Sequence, residues 1–238
     1  MIPSASAAAP YPSTITIAGE TGTITNVEVT LQGMSHSDPT DVNVLLVGPG
    51  GQAVVLMSDT TAEYGGGVYP MTNVTFTLSD QAYYPLPPYS PMADGTFQPA
   101  DFAPNHTNSA YAFPSPAPAP PFYTLLGTYD GLSPNGTWSL YVSDGGADDG
   151  GEISGGWSLA IMGVSPLPAI TSIQLTKSMK VVLTGSGTAG DVYTFQASTN
   201  LINWQQIGTV PAGTNGVLTF TDSNSISFEN RFYRVALP

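Results

Sequence analysis

Short apolar runs, separated by clusters of Gly, Pro, Asn and Asp, are the feature that most limits the folds open to this chain. Val27, Val29 and Leu31 alternate with polar residues, and the run from Val42 to Val47 is almost continuously apolar. Alternation with a period of two is typical of half-buried strands, and a short continuous run between turn residues is typical of a fully buried one. No window has apolar residues at helical spacing over three turns. The sequence therefore predicts an all-β chain.

The alternation recurs around Trp138 and around Trp157, so the predicted strands extend well into the second half of the chain. Gly (26 residues) and Pro (22 residues) are abundant enough to suggest disorder in a chain without such strands. Because the strands are present, the 238 residues are expected to fold, and their number suits two ordinary domains.

Every Lys and Arg of the chain lies in its last third, at Lys177, Lys180, Arg231 and Arg234. Residues 1–167 carry 14 carboxylates and no Lys or Arg. A surface of this charge repels phosphate backbones and anionic lipids, which argues against binding to nucleic acids or to membrane surfaces. No apolar stretch is long enough for a transmembrane helix, so membrane insertion is not expected.

A stiff, Pro-containing segment at residues 165–168 separates the acidic part from the part that holds the cations, and we predict the domain boundary there. The predicted organisation is an N-terminal arm (1–10), a sandwich domain (11–165) and a smaller sandwich domain (166–238). The arm, rich in Ala and Pro, is a candidate to add to the sheet edge of a neighbouring molecule. It lacks the basic and apolar regions of a signal peptide, so the sequence itself gives no targeting signal.

Residues 81–123 contain 11 of the 22 prolines and are predicted to form a long loop or edge excursion, because proline removes the donors that a sheet needs. One interpretation is a loop packed on the sandwich by its own aromatic side chains. The other is a contact surface for glycan or protein, since Tyr provides contact area at low entropic cost. The residues of this candidate surface are Tyr83, Tyr84, Tyr89, Tyr111 and Tyr123.

Three segments of the first 165 residues stand out. They are His36-Ser-Asp-Pro-Thr-Asp41 with the strand and Gly-Pro-Gly-Gly turn that follow, Asn135-Gly-Thr-Trp138-Ser-Leu-Tyr-Val-Ser-Asp144, and Asp149-Gly-Gly-Glu-Ile-Ser-Gly-Gly-Trp157-Ser-Leu159. In this order they resemble motifs of the P domain that accompanies proprotein convertases. The resemblance implies a jelly-roll β-sandwich over residues 11–165. The chain departs from the family at Gly48, where Ser is usual, and in the stretch 81–123. P domains accompany subtilisin-like proteases, and no protease domain is present here.

The C-terminal part is similar to the small fibronectin-III-like or immunoglobulin-like endings of secreted bacterial proteins. Residues 195–204 and 231–235 carry this likeness. About six strands are expected there, enough for a small β-sandwich. The predicted fold is therefore a P-domain-like jelly roll followed by a fibronectin-III-like sandwich.

Two groups of acidic residues suggest a calcium site, because calcium takes six to eight hard oxygen ligands and glycines let the backbone wrap around the ion. The candidate ligands are Asp144, Asp148, Asp149 and Glu152 in a Gly-rich turn, with Asp38, Asp41, Asp59 and Glu63 flanking the strand 42–47. The alternative is that the Asp-Gly pairs only form hairpin turns. No Lys or Arg lies nearby to offset the repulsion between the carboxylates, which favours calcium. The spacing does not match an EF-hand.

Catalysis has little support in the sequence. Cysteine is absent, no Gly-x-Ser-x-Gly motif surrounds a serine, and only His36 and His106 titrate near neutral pH. We therefore predict a non-catalytic, calcium-stabilised structural or interaction protein, secreted to the cell surface or the extracellular medium. We also predict that it self-associates, head to tail, into a filament. Two alternatives stay open: an accessory folding domain of a secreted subtilisin-like protease, and a carbohydrate-binding adhesion module.

Overall fold

The computed structural model describes residues 1–62, 67–103, 106, 112–164 and 167–236, which form two compact units, Met1–Gly163 and Val164–Pro238. The regular structure of the described residues consists of strands and short 3₁₀ turns, so the prediction of an all-β chain is confirmed. None of these residues belongs to a helix that is long and apolar enough to cross a bilayer. Of the predicted linker 165–168, residues 165 and 166 lie outside the described residues.

The described residues of the first unit form two five-stranded sheets. Their strands are β1 (Ile2–Pro3), β2 (Ser13–Ile17), β3 (Thr23–His36), β4 (Val42–Val47), β5 (Ala53–Ser58), β6 (Met71–Ser79), β7 (Gly95–Phe97), β8 (Ala100–Asp101), β9 (Gly136–Asp144) and β10 (Gly150–Val164). The strand order is β1-β10-β3-β6-β7 in one sheet and β2-β9-β4-β5-β8 in the other. Apolar side chains of both sheets share one core, which makes the unit a β-sandwich.

Trp138 on β9 is the largest fully buried side chain of this core. Its indole nitrogen donates to the carbonyl oxygen of Pro134 at 3.0 Å, and its ring meets Tyr129 edge to face with 4.8 Å between centroids. The hydroxyl of Tyr129 in turn donates to the carbonyl of Leu46 at 2.9 Å. The polar atoms of both aromatic side chains are therefore satisfied inside the core.

The continuous apolar run of β4 is explained by burial on both faces of its sheet. Val44 and Leu46 face the central core, whereas Leu45 belongs to a second cluster on the opposite face. Phe113 and Phe122, from the Pro-rich stretch, pack against this second cluster. The stretch thus covers the outer face of the sheet with aromatic side chains, as the packing interpretation predicts.

The N-terminal arm packs against its own domain instead of extending freely. Ile2 is buried in the core, β1 pairs with Gly150 and Gly151 of β10, and the Ala8 amide donates to the carbonyl of Val142 at 2.9 Å. Residues 1–10 therefore belong to the first sandwich. Ile2 and Pro3 of this arm pair within the same molecule, and addition of the arm to a neighbour's sheet stays a prediction.

The second unit is a small sandwich of two three-stranded sheets. Its strands are β11 (Ala169–Leu175), β12 (Val181–Ser186), β13 (Val192–Ser198), β14 (Gln205–Pro211), β15 (Val217–Asp222) and β16 (Phe232–Ala236). The order is β11-β12-β15 in one sheet and β14-β13-β16 in the other. Leu183, Tyr193, Phe195 and Leu218 form its core. The sandwich architecture agrees with the sequence, whereas the jelly-roll and fibronectin-III-like topologies stay predictions.

Candidate metal centre

The site lies where three segments of the first unit meet: the end of β3, the 3₁₀ turn before β4, and the turn between β9 and β10. Pairing of β4 with β9 sets Val42 opposite Asp144. The amide of Gly145 donates to the carbonyl of Asp41 at 3.0 Å. The two acidic segments that the sequence shows about a hundred residues apart are therefore neighbours in the fold.

His36, at the end of β3, is buried, and both of its ring nitrogens form hydrogen bonds. Its Nδ1 accepts a hydrogen bond from the amide of Asp38 at 3.2 Å, so the proton of the neutral ring is on Nε2. Nε2 donates to Oδ2 of Asp144 at 3.1 Å. Because both ring nitrogens are engaged, His36 has no free lone pair for a metal ion, and its role is to position the Asp144 carboxylate.

Asp144 is also satisfied without a metal. Its Oδ1 accepts from the amide of Gly146 at 2.8 Å, while Oδ2 takes the bond from His36. Burial raises the pKa of Asp144, and the Gly146 amide and His36 act against that rise. Asp144 stays a predicted ligand, because it forms with His36 and Asp149 a group whose ligand atoms lie within 4.8 Å of one another, and its two hydrogen bonds leave further lone pairs on the carboxylate.

Asp38, Asp41 and Asp149 are the carboxylates that come together, with one oxygen of each lying within 4.8 Å of those of the other two. Asp38 is oriented by the 3₁₀ turn, since its Oδ1 accepts from the amide of Thr40 at 3.1 Å. Asp149 comes from the Gly-rich turn. Asp149 also lies within the same distance of His36 and Asp144, so the cluster adjoins the buried pair.

The electrostatics of the cluster disfavour three bare charges. Burial raises the pKa of Asp41 to about 6, and the charges of Asp38, Asp149 and Asp144 add to the rise. The first unit has no Lys or Arg that could offset this repulsion. At neutral pH the carboxylates must therefore be stabilised either by a proton or by an external cation.

Two further features of the turn suit a bound cation. The Oδ1 of Asp149 is buried and has no hydrogen-bond partner among the described residues, although buried polar atoms almost always have one. Gly146 lies so close to the carboxylate of Asp41 that a Cβ at this position would overlap it. The glycine thus makes the room into which the Asp41 carboxylate fits.

Other acidic residues predicted from the sequence lie elsewhere. Asp148 and Glu152 are exposed and take no part in the cluster. Asp59 lies beyond β5, where burial raises its pKa and the nearest charges that add to the rise belong to Asp101 and Asp38. Glu63 lies outside the described residues. Of the predicted ligands, Asp38, Asp41, Asp144 and Asp149 thus belong to the two groups of convergent side chains, whereas the described Asp59, Asp148 and Glu152 do not. Which of them bind an ion stays a prediction.

Sequence reasoning missed two histidine–carboxylate pairs. Besides His36 with Asp144, His106 Nε2 lies 2.9 Å from Oδ2 of Asp101. The one feature of the local sequence that points to the first pair is the short spacing of His36 and Asp38. It allows the Asp38 amide to donate a hydrogen bond to the His36 ring. Asp144 is far away in the sequence, and its approach depends on the pairing of β4 with β9.

The candidate tyrosine surface is exposed where it is described. The exposed fractions are 85% for Tyr83, 67% for Tyr84, 62% for Tyr89 and 55% for Tyr123; Tyr111 lies outside the described residues. The rings of Tyr83 and Tyr84 are in edge-to-face contact, 4.5 Å apart. The Tyr84 carbonyl accepts from the Gln98 amide at 2.8 Å, and the Tyr123 amide donates to the Ala53 carbonyl at 2.9 Å. Backbone hydrogen bonds thus fix the main chain at Tyr84 and Tyr123, whose side chains are exposed.

Comparison with known proteins adds no relative to this description. The chain matches no family model, no curated protein and no solved structure. Inference about function therefore depends on the chemistry of the site. Three convergent carboxylates that lack cationic partners could hold a hard cation, because such ions take oxygen ligands and compensate the charge.

Proposed function

We propose that the protein is a non-catalytic extracellular structural or interaction protein whose first sandwich is stabilised by calcium. The observation that carries the proposal is the convergence of Asp38, Asp41 and Asp149 in a unit without Lys or Arg. Calcium completes this site, because it removes the repulsion among the carboxylates and gives the buried Oδ1 of Asp149 a partner.

Calcium suits the site better than other common ions. Zinc prefers His and Cys ligands, yet the chain has no Cys and both nitrogens of His36 are engaged. Magnesium demands near-ideal octahedral geometry, whereas calcium accepts irregular oxygen sets on flexible backbone. Ligands drawn from a glycine-rich turn are typical of calcium. Millimolar calcium outside cells is sufficient for a weak site, which supports an extracellular location.

A structural role agrees with the state of the two histidines. His36 is fully buried and hydrogen-bonded on both ring nitrogens, and His106 is bonded to Asp101. Both side chains are thus engaged with carboxylates, as is common for structural histidines. The resemblance to P domains, which accompany catalytic domains rather than act as enzymes, supports the same proposal.

Thermal unfolding with calcium and with chelator tests the site. An ion that binds only the folded state at a hundredfold excess over its Kd raises the free energy of unfolding by about 2.7 kcal/mol. For a chain of this size, that corresponds to a rise in Tm of roughly 5–10 °C. An unchanged Tm on adding chelator at neutral pH would refute calcium binding.

Asp149→Asn and Asp148→Asn form a matched pair of variants, because the two residues are adjacent and only Asp149 belongs to the cluster. Asp149→Asn should abolish most of the calcium-induced rise in Tm. It should also raise the Tm in chelator, since it removes one of the repelling charges. Asp148→Asn should show the same calcium-induced rise in Tm as the unchanged protein. If both variants lose this rise equally, calcium binds outside the cluster.

Glycan binding is a second candidate function, favoured by the exposed tyrosines, of which Tyr83 and Tyr84 are in ring contact and Tyr84 has a backbone hydrogen bond to Gln98. Aromatic rings in fixed positions stack on sugar rings, and the acidic unit would select neutral over anionic glycans. A glycan array with the full chain should show binding that Tyr83→Ala and Tyr84→Ala reduce, whereas Tyr11→Phe, a change away from these rings, leaves it intact. If binding is absent or insensitive to both alanine variants, the tyrosines have no such role.

A further inference from the structure

The outer edge of β10 is unpaired over most of its length. β10 lies between β1 and β3 in its sheet, and β1 pairs only with Gly150 and Gly151. No other strand in the described part of the chain pairs with that edge from Glu152 onward. Residues 153–163 contain no charged side chain, although the unit carries 14 carboxylates. A long uncharged edge of this kind offers free backbone donors and acceptors to another strand.

β11 is an uncovered edge of the second unit. Ile173 lies opposite Leu183, and Leu175 lies opposite Val181, so both side chains share the core face of their sheet. Ile173 is nevertheless 57% exposed and Leu175 is 65% exposed. β11 itself contains no charged residue. Apolar side chains that face a core and remain exposed indicate an edge that another strand can cover.

The charges beside these two edges are complementary. Lys177 and Lys180 follow β11, are exposed, and form no ion pair with any described residue. Asp148 and Glu152, at the start of β10, are exposed as well. The second unit has 4 cations against 3 carboxylates, whereas the first has 14 carboxylates without Lys or Arg. A contact between unlike units is therefore favoured over one between two first units.

We propose that β11 of one copy adds antiparallel to the outer edge of β10 of a second copy. The antiparallel direction brings Lys177 of one molecule toward Glu152 of the other, whereas the parallel direction carries it to the opposite end of β10. Such a contact joins two different surfaces, and its repetition builds a ring or an open filament. The inference deepens the proposed structural function by naming its interface, but it does not depend on calcium binding.

The lengths of the two strands agree with this pairing. Gly156 has φ of 74°, which interrupts a regular ladder, so the regular part of the β10 edge comprises residues 157–163. β11 is 7 residues long and can pair along this whole segment. The core-facing side chains there, Trp157, Leu159 and Ile161, are apolar and only partly buried. Pairing sets them beside the apolar side chains of β11.

Sedimentation velocity of the full chain over a concentration series, at physiological salt and with calcium, tests the interface. We expect species larger than a dimer to grow with concentration. Ile173→Lys adds a charge to the edge and should weaken association at least about tenfold. The matched control is Ile202→Lys, at an 80% exposed position outside β11, which should associate like the unchanged chain.

A charge exchange tests the direction of pairing. Lys177→Glu and Glu152→Lys should each weaken association about fivefold, and their combination in one chain should restore most of it. Backbone amides of β11 and of residues 157–163 should gain protection from hydrogen exchange on assembly. A chain that stays monomeric throughout, or equal behaviour of Ile173→Lys and Ile202→Lys, overturns the proposal. The calcium-dependent Tm of the same samples shows separately that each variant is folded and tests the metal site.

Discussion

His36 and Asp144 join the two sheets of the first sandwich through a hydrogen bond of 3.1 Å between the imidazole Nε2 and a carboxylate oxygen. His36 ends β3 in one sheet, and Asp144 ends β9 in the other. Neither side chain has any exposure to solvent. The chain has no cysteine, so this hydrogen bond links the two sheets at one end of the sandwich, where many secreted domains have a disulfide.

Replacement of His36 by Ala should lower the free energy of unfolding by about 3 kcal/mol, because it leaves a buried carboxylate without its donor. His36→Gln should cost less, since its amide nitrogen can donate from nearly the same place. Urea unfolding in the presence of calcium measures both. A loss below about 0.5 kcal/mol in His36→Ala, the range of ordinary surface changes, would contradict this account.

Without calcium, the stability of the chain should fall as the pH rises from about 4 to about 7. The pKa of Asp41 is raised to about 6 from its ordinary 3.8, so in this window the folded state binds more protons than the unfolded state and loses them as the pH increases. Urea unfolding in chelator at several pH values measures the slope. Asp41→Asn should flatten it, and saturating calcium, which binds the ionised carboxylates, should reverse it. If the free energy of unfolding of Asp41→Asn depends on pH as steeply as that of the unchanged chain, Asp41 is not the group whose titration changes the stability.

Gly48→Ser should destabilise the first unit by about 1–3 kcal/mol, the usual cost of overpacking a core. A Cβ at Gly48 would lie 2.7 Å from the Tyr129 ring, which is itself fixed by Trp138. This contact gives a physical reason for glycine where the P-domain pattern has serine. Tyr129→Leu by itself should lower the free energy of unfolding. In a chain that already carries Tyr129→Leu, adding Gly48→Ser should change the free energy of unfolding very little. Urea unfolding measures the free energy of unfolding of each variant. If the losses of the two single variants add up in the double variant, the Tyr129 ring is not what disfavours a side chain at position 48.

Trypsin should cut first at Lys177 or Lys180, which are exposed, and later at Arg231 and Arg234. Arg231 is bonded to Asp222, and the Nε of Arg234 donates to Gln196 at 2.6 Å over the Trp204 ring. Mass spectrometry over a time course identifies the order of cleavage. The fragment that ends at Lys177 should keep the calcium-dependent rise in Tm, because the cluster lies wholly in the first unit. Early cleavage at the arginines would contradict the described packing of β16.

The strands of the core were predictable from the sequence because their side-chain period is local information. The run from Val42 to Val47 became a strand of the expected burial. The alternation at Trp138 also became a strand, but residues 140–144 are buried on both faces of the sheet, which the alternation does not predict. In contrast, the exposed tyrosines and the packed Phe113 come from one Pro-rich stretch, and composition alone does not distinguish their roles. That distinction depends on which face of the neighbouring sheet the stretch crosses.

Which of the acidic residues cluster was not predictable, because it depends on strand pairing and on single backbone angles. Asp148 and Asp149 are neighbours with the same chemistry, yet Asp148 is exposed at φ of 69° while Asp149 turns toward Asp41. Asp38 and Asp41 reach the same place only because β4 pairs with β9. The sequence shows how many carboxylates are available, and the fold selects among them.

The strand orders β1-β10-β3 and β2-β9-β4 also govern how this unit folds. β9 and β10 are the last strands of the unit in the chain, yet each is flanked on both sides by strands that are synthesised much earlier. The sheet that contains β9 cannot be completed before residue 144 is made, and the sheet that contains β10 not before about residue 164. Most of the pairing in both sheets joins segments that are distant in the sequence. Folding should therefore be slow and cooperative, beginning only after synthesis of the whole first unit. The long-lived unfolded chain gains solubility from its high negative charge.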